Sequence, residues 1–261
     1  GIMHAGGFDV IVGNPPYVEL KVLRNYRMQG YGCESAGNIY ALMLERAFSL
    51  EGKASRMGFI VPVSSISTDR YESLQRLLST QLLYYSSFDD RPSRLFEGLE
   101  HIRLTIHLLG SPQARIVSYS TRYNKWNSEE RGALFQLLTY AAAKPALVTG
   151  TMPKLCHRIE ESIIEKLRSD KRQLSHFYSK NGNHRIYYSR KVGYFLQVLD
   201  FVPEVLDGSG KIRPPSEFKE LAFDDQIHAR AALACLNANL FYWVITVFSD
   251  CRHVNKREID S

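Results

Sequence analysis

Near the start of the chain, four consecutive residues combine hydrogen-bond acceptors, a rigid backbone and an aromatic ring: Asn14-Pro15-Pro16-Tyr17. Asn14 offers a side-chain oxygen, and Pro15 offers a carbonyl although its nitrogen cannot donate. The two prolines restrict the loop, so these acceptors are in place before a substrate arrives. The exocyclic amine of a nucleobase becomes a better nucleophile when both its hydrogens are accepted, and the Tyr17 ring can stack on a flipped-out base. The residue types therefore suit methylation of a planar amine.

The position of this loop favours the same chemistry. Phe8 to Val12 is a short β-branched run that ends at Gly13, which predicts a buried strand. In α/β sheets, ligands bind beyond the carboxyl ends of the strands. The loop follows such an end directly, whereas a rigid turn after a strand is the simpler alternative.

The segment from Phe8 to Tyr17 resembles the catalytic segment of SAM-dependent DNA adenine-N6 methyltransferases of the γ motif order, of the type II/IIG restriction-modification kind. Asn38 to Glu45 is similar to the helix that follows the catalytic loop in that family, and Gly58 to Pro62 to the next strand. Arg94 to Gly98 is similar to a late motif whose aromatic packs on the flipped base. The resemblance covers roughly residues 7–112.

This resemblance implies roles for five residues. Asn14, Pro15, Pro16 and Tyr17 are the expected catalytic residues, and Tyr17 and Phe96 are expected to stack on the base. Phe96 could equally be an ordinary core aromatic at a strand entrance. The implied cofactor is S-adenosyl-L-methionine (SAM).

The order of predicted elements indicates an α/β fold. Further strands are predicted at Gly58–Val63, Leu82–Phe88, Ile102–Leu109 and Ala114–Tyr119, and helices at Asn38–Leu50 and from Thr68 to Leu78. We therefore expect a partial Rossmann-like SAM-methyltransferase sheet followed by a smaller α+β target-recognition domain. Residues 1–125 would be the C-terminal half of the catalytic domain and residues 126–261 the recognition domain. Helices at Ser128–Lys144, Lys154–Arg168 and Asp225–Val247 are predicted in the second part.

The sequence offers no SAM-binding loop. In the γ order this Gly-rich loop follows a strand that precedes the catalytic segment, but Gly6-Gly7 stands before a strand and Asp207 to Gly210 lies in a late loop. We expect the chain to be a fragment that neither binds SAM tightly nor methylates DNA alone, and whose partner is the missing N-terminal half of the enzyme. The strand from Phe8 to Val12 would form an exposed apolar edge, covered by a second copy in a homodimer or by a rearranged segment.

Basic side chains point to double-stranded DNA as a partner. The formal net charge is +6. Between residues 166 and 191 there are eight basic residues and one acid, Asp170, with Phe177, Tyr178, Tyr187 and Tyr188 interleaved. The predicted DNA-binding residues are these eight basic residues together with three residues near the end of the chain. They are Lys166, Arg168, Lys171, Arg172, Lys180, Arg185, Arg190, Lys191, Arg252, Asn255 and Lys256. A solvated helix face with core aromatics is the alternative.

Other functions find less support in the sequence. No metal is expected. The candidate ligands His228, Cys235, Cys251 and His253 do not have the spacing of a common metal site. Four cysteines in a chain of 261 residues favour a reducing, cytoplasmic environment, and the longest apolar run, Leu240 to Phe248, is too short to span a bilayer. Two alternatives remain open: a non-catalytic DNA-specificity module, and a methyltransferase acting on another planar amine or amide such as a protein glutamine.

Overall fold

A computed structural model describes residues 6–23, 28–110, 117–143, 148–169 and 171–260. The chain divides into two compact units, residues 1–167 (unit 1) and 168–261 (unit 2). This division falls later than the predicted boundary at 125/126, because residues after 125 still contribute a strand to the sheet of unit 1.

A six-stranded mixed sheet forms the centre of unit 1. Its strands are β1 (Phe8–Gly13), β2 (Glu51–Pro62), β3 (Leu83–Phe88), β4 (Leu104–Leu109), β5 (Ser118–Asn124) and β6 (Ala141–Ala142). Their order in the sheet is β1-β2-β4-β3-β5-β6. β1 is parallel to β2 and β3 is parallel to β5, while β4 runs antiparallel to both β2 and β3. The carboxyl ends of β1, β2, β3 and β5 therefore lie at one edge.

Helices cover one face of this sheet. They are α1 (Ile39–Phe48), α2 (Ser64–Ser67) and α3 (Glu72–Leu78). A further helix, α4 (Arg158–Ser169), begins in unit 1 and includes the boundary between the units at 167/168. α1 begins as predicted, because the Asn38 side chain accepts a hydrogen bond from the Tyr40 backbone nitrogen. Leu44 of α1 and Leu74 of α3 are fully buried in one core with Phe59 and Tyr85 of the sheet.

The other face is open next to β1. Val10, Val12 and Leu108 are 61%, 76% and 49% exposed. The prediction of a strand over Phe8 to Val12 is confirmed, and so is the prediction that it forms an exposed apolar edge. The burial that its β-branched run suggested is not found. The physical reason is position: β1 is the edge strand of the sheet among the described residues, and β2 is its one neighbour there.

The region after β5 departs from the predicted helices. The helix predicted at Ser128–Lys144 is wrong over residues 128–143, the part of it that the structure describes: Ser128–Gly132 form a 3-10 turn and Ala141–Ala142 form β6. Trp126 and Leu134 in this region bury themselves against Phe88. The helical periodicity of the segment therefore reflects a few side chains that pack onto the sheet. α4 begins at Arg158, four residues later than predicted.

Unit 2 is a small α+β arrangement with a core of its own. Its elements are β7 (His184–Ser189), β8 (Val198–Leu199), β9 (Val205–Leu206), β10 (Ile212–Arg213), β11 (Phe218–Phe223), α5 (Gln226–Leu236), α6 (Asn239–Phe248) and α7 (Lys256–Asp260). The antiparallel sheet β11-β7-β8 packs with α5 around Ile186, Phe223 and Ala232.

The predicted long final helix is divided into α5 and α6. Asp225 caps α5 as expected, with its side chain accepting from the Ile227 nitrogen at 2.7 Å. The chain bends by 63° between the two helices. Among the described residues no single helix is long and apolar enough to cross a membrane, and α5 and α6 reach that length and apolarity only together, as this bent pair.

Candidate active site and nucleic-acid surface

The Asn14–Tyr17 loop leaves the carboxyl end of β1, where the sequence predicts it. Asn14 is exposed and Pro15 is buried. The Tyr17 hydroxyl lies 2.6 Å from Asn14 Oδ1 and 3.0 Å from the carbonyl oxygen of Ile60 in β2. A phenol has one proton, so it donates to one of these two acceptors at a time. Burial raises the pKa of Tyr17 to about 12, so the hydroxyl keeps that proton at neutral pH.

Three tyrosine rings pack against one another at this loop. The ring of Tyr17 meets that of Tyr40 edge-on at 6.2 Å between centroids, and Tyr40 stacks on Tyr71 at 5.4 Å. The Tyr40 hydroxyl lies 3.0 Å from Ser64 Oγ, at the start of α2. The Tyr17 side chain is thus held at its ring by Tyr40 and at its hydroxyl by Asn14 and Ile60, which fixes the ring that is expected to stack on a base.

Phe96 lies in the loop of residues 89–103, which joins β3 to β4. This loop starts at the sheet edge that also carries Asn14, and its end meets the residue after β2, since the Val63 nitrogen donates to the Arg103 carbonyl at 2.8 Å. Phe96 itself is half-buried. Its neighbour Leu95 packs against the small core that contains Phe88 and Trp126. The loop is therefore well anchored, and the stacking role of Phe96 stays a prediction.

An acidic pair at the same edge was missed by the sequence reasoning. Asp89 and Asp90 directly follow β3, and the Nε atom of Arg103 lies 3.3 Å from Asp89 Oδ1 and 3.4 Å from Asp90 Oδ1. Burial raises the pKa of Asp89, while the Arg103 guanidinium opposes that rise. The signal that could have found the pair is two acids in succession at the end of an apolar strand. Through Arg103, the pair ties the two ends of the Phe96 loop together.

The described residues do not fit the main SAM-binding motif. Gly7 precedes β1, and a side chain there would collide with the backbone of Glu51 at 2.5 Å, so this glycine serves the close approach of two chain segments. Asp207 lies in the turn between β9 and β10, where its Oδ1 accepts from the Ser209 and Lys211 nitrogens. Neither place is a Gly-rich turn from a strand into a helix.

The predicted DNA-binding residues are placed on several elements. Lys166 lies on α4 in unit 1, and the other ten belong to unit 2. Arg185 is engaged by Glu220, with its Nη1 at 2.8 and 3.0 Å from the two carboxylate oxygens. Of the interleaved aromatics, Tyr188 is buried, and Phe177 and Tyr178 pack against the same core. These three rings therefore serve the core of unit 2.

Two of the predicted basic segments meet in unit 2. The Val192 nitrogen donates to the Arg252 carbonyl at 3.0 Å, and the Val254 nitrogen donates to the Arg190 carbonyl at 2.8 Å. Lys191 and His253 form an antiparallel bridge between them. Arg190, Lys191 and Arg252 are all exposed. Segments that are far apart in the sequence thus contribute to one basic strip, residues 190–192 and 252–254.

Beyond this strip lie two aromatic residues that the sequence reasoning passed over. Tyr194 and Phe195 are 86% and 71% exposed. They stand in the loop between β7 and β8, directly after the basic residues. The pattern that could have found them is an aromatic pair between a basic dipeptide and a strand.

The fold and the loop together define a class: an α/β unit with an acceptor-rich, proline-stiffened loop at the carboxyl end of a strand. Residues 1–91 match the family model described as the Eco57I restriction-modification methylase. The matched region ends just after the acidic pair, and it includes β1, the Asn14–Tyr17 loop and β2.

Several solved structures are similar to the chain. The DrdV–DNA complex has a TM-score of 0.45 at 13% identity, over 56% of this chain and 18% of that one. A nuclease-deletion mutant of the Type ISP restriction-modification enzyme LlaGI, in complex with a DNA substrate mimic, has a TM-score of 0.43 at 12% identity, over 70% and 21%. The ATP-dependent Type ISP restriction-modification enzyme LlaBIII bound to DNA has a TM-score of 0.40 at 13% identity, over 70% and 14%. The chain thus spans about a fifth or less of the length of these proteins, and no curated protein matches it.

Proposed function

We propose that this chain is part of a site-specific DNA adenine-N6 methyltransferase of a restriction-modification system. The observation that carries the proposal is the Asn14–Tyr17 loop at the carboxyl end of β1, within the 91 residues that match a restriction-modification methylase family. The methyl donor implied by that match is SAM. Its main binding loop is assigned to a polypeptide segment other than these 261 residues.

The loop acts on the amine of a flipped adenine. Asn14 Oδ1 accepts one amine hydrogen and the Pro15 carbonyl accepts the other, which favours a tetrahedral nitrogen with an available lone pair. In the structure Asn14 Oδ1 is occupied by the Tyr17 hydroxyl. Because Tyr17 has the Ile60 carbonyl as a second acceptor at 3.0 Å, it can release Asn14 to the substrate without leaving its own proton unpaired.

The base is held by stacking. Tyr17 offers its ring, which Tyr40 holds in a nearly perpendicular contact at 6.2 Å between centroids. Phe96 supplies a second ring from the loop that leaves the same edge of the sheet. Unit 2 contributes the contacts to double-stranded DNA through its basic strip.

The open edge of the sheet belongs to the same proposal. Among the described residues no strand pairs with the outer side of β1, and its valines are exposed on the uncovered face. A SAM-binding half that continues the sheet beyond β1 would pair with that side and cover Val10 and Val12. In its absence, a second copy of the chain is the other candidate for this edge.

The test is methyl transfer from tritiated SAM to duplex DNA by the chain, co-expressed with a polypeptide that carries a Gly-rich strand–loop–helix unit. We expect the label on adenine N6. Asn14→Ala should lower the rate by about a hundredfold or more, which is the usual effect of removing one preorganised hydrogen-bonding group from an active site. Gln136→Ala, an exposed amide of unit 1, is the matched control and should leave the rate unchanged. Label on cytosine, on protein glutamine, or undiminished in Asn14→Ala would contradict the proposal.

The chain alone is expected not to bind SAM tightly. Calorimetric titration of SAM into the purified chain should give no heat of binding at micromolar concentrations. Micromolar affinity in that experiment would place the cofactor site within these residues and overturn the division of labour proposed above.

A second candidate function is a non-catalytic DNA-specificity module. The observation that favours it is the poor fit of the described residues to a SAM site, together with the basic strip of unit 2. In that case the co-expressed pair would bind duplex DNA in a filter assay but would transfer no methyl groups.

A further inference from the structure

The loop between β7 and β8 carries the adjacent aromatic residues Tyr194 and Phe195, which we call the aromatic tip. They are 86% and 71% exposed. Single exposed apolar side chains are common on protein surfaces, whereas two adjacent and largely exposed rings form a larger apolar surface. The tip is therefore a candidate for contact with a partner.

The residues on either side of the tip are fixed. Arg190 and Val192 make backbone hydrogen bonds to Val254 and Arg252, and Ser189 pairs with Gln197 across the hairpin at 2.9 Å. The Tyr242 hydroxyl donates to the Gly193 carbonyl at 3.2 Å. Leu196, the next residue after the tip, is buried in the core of unit 2. A tip with both ends anchored loses little further backbone freedom when it binds.

The surroundings of the tip are positively charged. Arg190, Lys191 and Arg252 are exposed on the strip at its base. Two acids, Glu217 and Asp250, lie in the same neighbourhood, and the charge of Lys191 acts on Glu217. Glu217 is bound by the Arg213 guanidinium, with Nη1 to Oε2 at 3.1 Å. Asp250 accepts from the backbone nitrogens of Arg252 and His253.

A second exposed apolar pair in unit 2 differs from the aromatic tip in the charge of its neighbours. Phe201 and Val202 are 59% and 56% exposed, but their charged neighbours are Asp200 and Glu204. An apolar pair beside acids repels a polyanion, whereas the aromatic tip stands beside three cations.

We propose that the aromatic tip inserts into duplex DNA and stacks on base pairs at a distorted step, while Arg190, Lys191 and Arg252 contact the flanking phosphates. Aromatic wedges at such steps unstack the bases and accompany a bend or an extruded base. This inference rests on the proposed function, because it takes duplex DNA as the partner. It adds the residues that make the non-phosphate contact, and it places them in unit 2.

The test is fluorescence anisotropy of a labelled duplex titrated with the full chain over a range of salt concentrations. For Tyr194→Ala/Phe195→Ala we expect an affinity weakened by about tenfold or more, since each ring loses its stacking contact. The slope of log Kd against log salt should stay unchanged, because rings displace no counterions. Phe201→Ala/Val202→Ala is the matched control and should change the affinity by less than about twofold.

Substitution of the charged residues should have the opposite effect and change the salt dependence of binding. Arg190→Gln/Lys191→Gln should reduce the salt slope by roughly two, which corresponds to two lost phosphate contacts. A second readout is 2-aminopurine placed in the duplex, whose fluorescence should rise when the wild-type chain binds and should rise less with Phe195→Ala alone, a variant of an exposed side chain.

The outcomes separate the two proposals. If the wild-type chain binds duplex DNA and the double alanine variant of the tip binds equally well, the tip inference is overturned and the proposed function stands. If the wild-type chain binds no duplex DNA, the DNA partner of the proposed function fails and the tip inference fails with it. Tighter binding of single strands than of the duplex would also overturn the insertion into base pairs.

Discussion

The Tyr17 hydroxyl and the Asn14 side chain form a hydrogen-bonded pair within the proposed active site. One phenolic proton faces two acceptors, at 2.6 Å on Asn14 and 3.0 Å on Ile60. The arrangement orients the Asn14 amide and leaves a second partner for Tyr17 when a substrate amine takes the first. A preorganised acceptor of this kind costs little rearrangement at the moment of reaction.

His107 makes the stability of the protein depend on pH. It is fully buried in β4, its Nε2 lies 3.1 Å from Ser65 Oγ, and burial lowers its pKa to about 3. An unfolded histidine titrates near pH 6.5, so below that pH the unfolded state binds a proton that the folded state refuses. His107 therefore does not lower the stability of the folded state above about pH 6.5. As the pH falls from 6.5 toward 3, the free energy of unfolding decreases progressively. Between pH 7 and pH 5 we expect His107 to cost about 2 kcal/mol of unfolding free energy.

The measurement is urea unfolding at pH 7 and pH 5 for the wild type and for His107→Gln. The variant should lose less stability on acidification than the wild type, whatever its stability at pH 7. Asp89, whose pKa is raised by burial, acts in the opposite direction but is common to both proteins. Equal losses in the two proteins would show that His107 is protonated in the folded state or is not buried.

Among the secondary-structure elements, β1 is an edge strand with an exposed apolar face. It has β2 on one side, while Val10 and Val12 remain 61% and 76% exposed on the open face. Unpaired edge strands with apolar faces associate with other strands, and lysine on such an edge prevents it. We expect the chain alone to self-associate through β1, and Val10→Lys/Val12→Lys to abolish that association.

Sedimentation over a range of protein concentrations measures this association. The matched control is Val22→Lys, a valine that is 64% exposed outside the sheet, which should associate like the wild type. A wild-type chain that stays monomeric throughout, or a doubly substituted chain that still associates, would refute the role of β1.

At the scale of the whole molecule, each unit has its own core and its own tryptophan. Trp126 is buried in unit 1, and Trp243 lies on α6 in unit 2. Phe223 is fully buried in the core of unit 2. Phe223→Ala should therefore destabilise unit 2 by about 3–5 kcal/mol and leave unit 1 unaffected.

Single-tryptophan variants report the two units separately. In a Trp126→Phe background, Phe223→Ala should lower the urea midpoint of the remaining Trp243 signal. In a Trp243→Phe background, the same substitution should leave the midpoint of the Trp126 signal in place. A common shift of both signals would mean that the two units unfold as one.

Much of the fold could be predicted from local patterns. The strand at Phe8–Gly13, the Asn38 cap of α1 and the Asp225 cap of α5 follow from residue types within a few positions of each other. The chemistry of the Asn14–Tyr17 loop is equally local, since it depends on four adjacent residues and on the strand before them. Such features are decided by backbone preference and short-range hydrogen bonds.

Other features depend on contacts between distant residues, which no local pattern contains. The periodicity of Ser128–Lys144 suits a helix, but Trp126 and Leu134 gain more by packing on Phe88. The basic strip of unit 2 exists because residues 190–192 pair with residues 252–254, a partnership set by long-range hydrogen bonds.

Four adjacent residues are thus enough to predict an acceptor-rich loop that suits a planar amine, because this pattern is local. The folded chain adds two features: Tyr17 has acceptors on both Asn14 and Ile60, and the aromatic tip lies beside the basic strip. The physical reason is that backbone preferences act over a few residues, whereas burial and hydrogen-bond partners are settled when the whole chain packs.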